Sequence, residues 1–180
     1  MSLQDEMLEY FSRMNEAEEG NYMAGSGWAL YTDTQYTAGS PLVILQGNTE
    51  DLPNNAGSKD EGSLPTGSPA LYDGTRIRPN NINDTYDVRV TFKASTSSGS
   101  NGGFNVSLDI SEVGDDSITV ASQPIRMLRG GNVVQTYTIN FPVFCKETFK
   151  ANGGLLRIES VTGDLTMYDI SLFLVKTYGG

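Results

Sequence analysis

From Tyr86 onward apolar and polar residues alternate one for one, and a chain with that rhythm buries itself as strands. Tyr86, Val88, Val90, Phe92 and Ala94 fall on one face, while Asp87, Arg89, Thr91 and Lys93 fall on the other. Successive side chains of a strand point to opposite faces, so this pattern describes a half-buried strand. The alternation returns in Phe104, Val106, Leu108 and Ile110, and again in Val133, Gln135, Tyr137, Ile139 and Phe141. Shorter strands are predicted at Trp28–Tyr31, Leu42–Gln46, Ile118–Ser122 and around Leu156 and Ile158. Glycine-rich turns such as Arg129-Gly130-Gly131-Asn132 and Asn152-Gly153-Gly154 separate them. Eight or more short strands without strand–helix–strand alternation predict an all-β fold, an antiparallel jelly-roll β-sandwich. A hairpin-rich barrel is the alternative. Between Gly47 and Ser68 apolar anchors almost vanish, and the stretch reads as a long surface loop.

The closing strand departs from the pattern. Tyr168, Ile170, Leu172 and Leu174 are assigned to one face, yet Phe173 and Val175 make the other face apolar too. A strand apolar on both faces is covered on both. The second cover is either the N-terminal segment or a neighbouring subunit, and the subunit is the expectation, in a homotrimer.

Residues 1–20 are predicted to form a short N-terminal helical arm, and residues 21–180 the sandwich domain. Ser2 can cap the arm, with Asp5 three positions on, and Gly20 ends it. Leu3, Met7, Tyr10, Met14 and Ala17 recur at coiled-coil spacing, and Phe11 widens the stripe. Six acidic residues here face one basic residue, Arg13. A solitary helix this short is marginal in water, so the arm needs a partner. Leu3, Met7, Tyr10, Met14, Phe173 and Val175 are therefore the candidate oligomer interface.

Chemistry is limited by what the chain lacks. It holds no histidine, which removes serine–histidine and cysteine–histidine catalysis and histidine-based zinc sites. Cys145 is the one cysteine, so no intrachain disulfide forms, and its apolar neighbours mark it as a small buried hydrophobe. Asp109, Glu112, Asp115 and Asp116 cluster at one turn, and Asp60 and Glu61 sit in the long loop. Their spacing matches no EF-hand, and solvated turns are the expectation, with a cation site or a catalytic carboxylate pair as lesser readings. The glycine-rich turns lack the Lys-Ser/Thr ending and following helix of a phosphate loop. Neither a cofactor, a resident metal nor an enzymatic activity is expected. A formal net charge of -10 with scattered cations argues against nucleic acid, and no apolar run reaches the ~20 residues of a membrane span. No secretion signal precedes the sandwich, so synthesis in a cytoplasm is expected. Trp28, Tyr31, Tyr36 and Tyr72 are the aromatics that a glycan-binding platform would use, although plugs at one end of the sandwich are the expectation for Trp28 and Tyr31.

Several motifs resemble those of tailed-bacteriophage virion structural proteins with a jelly-roll fold. They are Gly27-Trp28-Ala29-Leu30-Tyr31-Thr32-Asp33, Leu64-Pro65-Thr66-Gly67 and Leu71-Tyr72-Asp73, where Tyr72 replaces the usual tryptophan. Ile77-Arg78-Pro79, the run Asp87 to Ala94, Thr148-Phe149 and Asn152-Gly153 continue the likeness over residues 27–176. The resemblance implies a structural protein of the virion, made in the bacterial host cytoplasm. It would act as a trimeric capsid decoration (cement) protein that binds the major capsid protein or another virion protein and stabilises the head. The alternative within the resemblance is a fibre or tail module binding host surface glycans. A cellular trimer resembling tumour necrosis factor or complement C1q heads is a more distant candidate.

Overall fold

The computed structural model describes residues 26–65, 67–99, 101–114 and 117–178, with the side chain of Tyr178 excluded. The helical arm of residues 1–20, with Leu3, Met7, Tyr10 and Met14, lies outside the described residues. The described chain forms ten strands and one short helix. The strands are β1 (Gly27–Thr32), β2 (Leu42–Ile44), β3 (Thr49–Asp51), β4 (Ser58–Asp60), β5 (Thr85–Thr96), β6 (Gly103–Asp109), β7 (Thr119–Arg126), β8 (Gln135–Phe144), β9 (Leu155–Thr162) and β10 (Leu165–Tyr178), with α1 (Glu147–Asn152) between β8 and β9. One sheet runs β4-β1-β10-β5-β8, with β2 also pairing β10, and the other runs β3-β9-β6-β7. All pairings are antiparallel. The all-β, two-layer antiparallel sandwich read from the alternation is the observed fold.

The core lies where the alternation puts it. Tyr86, Val88, Val90, Phe92 and Ala94 of β5 are fully buried, and they face Phe104, Val106 and Leu108 of β6 and Ile158 of β9. Phe92 and Phe104 meet edge-to-face at 5.6 Å, and Tyr137 packs edge-on to Phe104 at 5.0 Å. Aromatic pairs in this geometry add about 0.5–1.5 kcal/mol beyond the apolar area they bury.

Four expectations need correction. Tyr168 does not share a face with Ile170. Asp169 adopts a left-handed backbone (φ 53°), and the β10–β5 register slips between Tyr168 and Ser171. This β-bulge adds a residue to β10, so Met167 and Ile170 both point inward while Tyr168 turns out beneath Lys93. The loop Gly47–Ser68 holds two three-residue strands, β3 and β4, and it dips inward at Leu52 and Asn54, both buried. Every residue of β3 and β4 is exposed, so neither carries an alternation. Val133 lies before β8 and is exposed, because the strand begins only at Gln135. Finally, the predicted turn at Asn152-Gly153-Gly154 is preceded by α1, which buries a single residue, Phe149. Gly153 ends this helix at φ 75°, where a Cβ would lie 2.7 Å from the Ile77 carbonyl oxygen, so glycine is required there.

Candidate functional site

The sandwich has two outer faces, and they differ in chemistry. On the four-stranded sheet the outward row reads Asp51 and Arg157, then Ser107 and Ser122, and the next reads Thr49, Glu159, Asn105 and Pro124. That face is polar. On the six-stranded sheet, one outward row joins Trp28, Val175, Asp87 and Pro142, and the next joins Leu30, Phe173, Arg89 and Asn140. Trp28, Leu30, Phe173 and Val175 thus form a contiguous apolar patch astride β1 and β10.

Within the single chain this patch is half covered. The Trp28 and Phe173 rings lie 5.5 Å apart, and the Arg89 guanidinium sits 5.7 Å from the Phe173 ring centroid. Arg89 is held there by an ion pair to Asp87 at 3.0 Å. Trp28, Leu30, Phe173 and Val175 all remain half-buried. Leu30 and Arg89 were not among the sequence candidates. Leu30 was findable, because it lies two positions after Trp28 on the same strand and so shares its face.

The four aromatics proposed for glycan binding do not form one platform. Trp28 and Tyr31 are three residues apart on a strand, which places them on opposite faces. Tyr31 is fully buried, its ring centroid 5.3 Å from that of Tyr72 with the planes tilted by 55°, and Tyr72 is also buried. The Tyr31 hydroxyl donates to Glu61 Oε1 at 2.6 Å and accepts from the Leu71 backbone N–H. Burial first, then the Glu61 carboxylate, raises its phenol above the usual range. The Tyr72 hydroxyl donates to the Asn54 carbonyl. Burial, then Asp73 and Asp33, raises that phenol as well. Tyr36 is half-buried in the loop after β1, where its backbone N–H donates to Asp33. Trp28 and Tyr36 therefore keep exposed surface, while Tyr31 and Tyr72 belong to the core.

The acidic turn is partly a structural device. Asp109 is fully buried; its Oδ1 accepts the backbone N–H groups of Ser111 and Ile118, and its Oδ2 lies 3.3 Å from Arg157 Nε. Burial pushes this carboxyl up, but the hydrogen bonds from Ser111, Ile118 and Ser117 outweigh it and hold the group below its ordinary value of 3.8. Because the folded value is the lower one, the stabilisation is fully present above pH 3.8 and is lost as pH falls through the lowered value. Asp109→Ala is expected to cost about 2–3 kcal/mol at neutral pH. It should also flatten the acid limb of the stability profile below pH ~4. Urea unfolding across pH 2–7 (about five units) checks both. Glu112 is exposed, Asp115 and Asp116 lie outside the described residues, and among the described residues no cluster of three potential metal ligands occurs. Glu61 is taken by Tyr31 and by Lys59 at 3.2 Å.

Two further features lie at the end of the sandwich where β1 begins. Lys176 and Asp84 form a buried ion pair at 3.0 Å beside Cys145, which is itself fully buried. Burial, then the Asp84 charge, pushes the Cys145 thiol up to about 11. Between the edge strands β7 and β8 opens a cleft of about 230 Å³, lined by Ile110, Val120, Val143, Phe144 and Phe149, with Lys146 as its one charged wall. Val120 and Phe144 are each 48% exposed there.

No family model and no curated protein matches the chain. Among solved structures, Eiger TNF from S. frugiperda superposes with a TM-score of 0.52 at 13% identity, covering 86% of this chain and 93% of that one. The vertex protein P5 of PRD1 gives 0.46 at 8% identity, covering 84% and 72%. A family 16 carbohydrate-binding module gives 0.39 at 9% identity, covering 78% and 82%. The first likeness shows the sandwich fold; at such identities none carries a site from one protein to another.

Proposed function

We propose that this chain is a non-catalytic structural protein of a phage virion. It associates as a homotrimer through the outer face of its six-stranded sheet and decorates the head by binding the major capsid protein or another virion protein. The observation that supports this reading is the contrast between the two outer faces. A polar face needs no partner, whereas Trp28, Leu30, Phe173 and Val175 together form an apolar patch rimmed by polar residues, the chemistry of a protein–protein interface. The virion assignment rests on the motif resemblance over residues 27–176. A fibre module that binds glycans is the second reading. It retains Trp28 and Tyr36 but loses Tyr31 and Tyr72, whose rings and hydroxyls are committed to the interior.

Light scattering coupled to size exclusion is expected to give three times the chain mass of 19.5 kDa. The protein is also expected to co-sediment with empty capsids and raise the temperature at which they burst. A stable monomer at micromolar concentration removes the assembly reading. Retention on a glycan array, lost in Trp28→Ala and without capsid binding, replaces it with the fibre reading.

A further inference from the structure

The cleft between β7 and β8 is an opening into the apolar interior at an unclosed edge of the sandwich. Its walls are Ile110, Val120, Val143, Phe144 and Phe149, and Lys146 stands at its mouth with its ammonium 4.8 Å from the Phe144 ring centroid. An exposed phenylalanine and valine at the mouth of a 230 Å³ apolar cleft leave that surface without a partner among the described residues.

We infer that the occupant is the chain's own N-terminal segment, residues 1–25, docked through its apolar stripe of Leu3, Met7 and Tyr10. Three observations converge on it. The first is position. Gly27 pairs with Lys176, Lys176 with Tyr86, and Tyr86 with Val143, so the start of β1 and the cleft lie on one transverse row of the sheet. Three strand spacings separate them, about 14 Å. The second is reach. With the predicted helix rising ~1.5 Å per residue to Gly20 and the remainder extended at ~3.3 Å per residue, the chain from Met14 to Gly27 spans about 32 Å, so the stripe arrives. The third is charge. The segment carries Asp5, Glu6, Glu9, Glu16, Glu18 and Glu19 against Arg13, while the cleft's single charged wall is the cation Lys146. An apolar stripe edged with carboxylates matches an apolar cleft edged with an ammonium. Docking there covers the open edge of the sandwich and leaves the face around Phe173 free, so it is independent of the trimer reading.

Disulfide trapping in the full chain tests this. Met7→Cys combined with Val120→Cys is oxidised in dilute solution and compared with Met7→Cys combined with Val161→Cys. Val120 and Val161 are equally exposed at 48%, but Val161 lies at the far end of β9, away from the cleft. The native Cys145 is fully buried and stays silent. The expected result is an intrachain cross-link at least tenfold faster for the Val120 pair, slowed severalfold by adding Lys146→Glu. Equal rates for the two pairs overturn the inference. So does a cross-link found only between two chains when differently tagged copies are mixed, which assigns the segment to a neighbour. Repeating the measurement in Phe173→Asp separates it from any failure of the trimer reading.

Discussion

Replacing Asp84 with asparagine is expected to destabilise the protein by about 3–5 kcal/mol, the cost of leaving one partner of a buried ion pair alone. Asp84 lies in the turn before β5 and is fully buried; Lys176, near the end of β10, is 5% exposed. Asp84 Oδ2 receives three donors, namely Lys176 Nζ at 3.0 Å, the Tyr86 hydroxyl at 2.8 Å and the Asn81 backbone N–H at 2.8 Å. The pair therefore ties the last strand to the entry of the central strand β5. In Asp84→Asn the ammonium stays buried without a counter-charge, and reaching water requires displacing the end of β10. For a domain of this size the loss corresponds to a fall in melting temperature of about 6–20 °C. Asp84→Asn combined with Lys176→Met removes both charges, and it should recover most of the loss because a neutral, well-packed pair is often as stable as a buried ionic one. Urea unfolding should show a lower midpoint with an unchanged slope for the single variant. A loss below about 1 kcal/mol would mean that water reaches the pair.

On the proposed assembly, Phe173→Asp is expected to separate the protomers while leaving each one folded. Phe173 points away from the core, so the protomer loses only its contacts with Trp28 and Arg89, about 1–2 kcal/mol. An aromatic at the centre of an interface contributes more, at least about 2 kcal/mol, and a carboxylate in its place must also be desolvated. Each contact should therefore weaken by a factor of at least ~30. Sedimentation velocity is expected to shift from trimer to monomer with an unchanged far-ultraviolet spectrum. Ser107→Asp, on the polar outer face of the other sheet, should leave the trimer intact. An unshifted sedimentation profile for Phe173→Asp excludes this face as the contact.

Within β5 and β6 the apolar residues of the period-2 pattern were placed correctly from sequence because burying one face of a sheet imprints that period. The inward apolar sets of β5 and β6 were read correctly, and so was the outward position of Phe173 and Val175, but Asp109, expected at a solvated turn, is fully buried. β3, β4 and α1 left no such imprint. The first two are exposed along their whole length, and α1 buries only Phe149. The three-residue step between the inward Met167 and Ile170 was misread because only backbone geometry distinguishes a bulge from a continuous strand. In the candidate site, Trp28 was singled out for the wrong neighbours. It was grouped with Tyr31 by proximity in sequence, although their odd separation on a strand already sets them on opposite faces.

The order of residues by itself determined that this chain must be a layered β protein with a polar exterior, because alternation dictates which side of each strand meets water. It also determined that β10 carries one apolar side too many for a lone two-layer sandwich. Pairing was decided elsewhere. That β1 lies against β10, bringing Trp28 and Leu30 beside Phe173 and Val175, is a matter of strand order, which local periodicity does not encode. The union of Asp84 with Lys176 arises in the same way, since a buried charge finds its partner across the sheet and not along the chain.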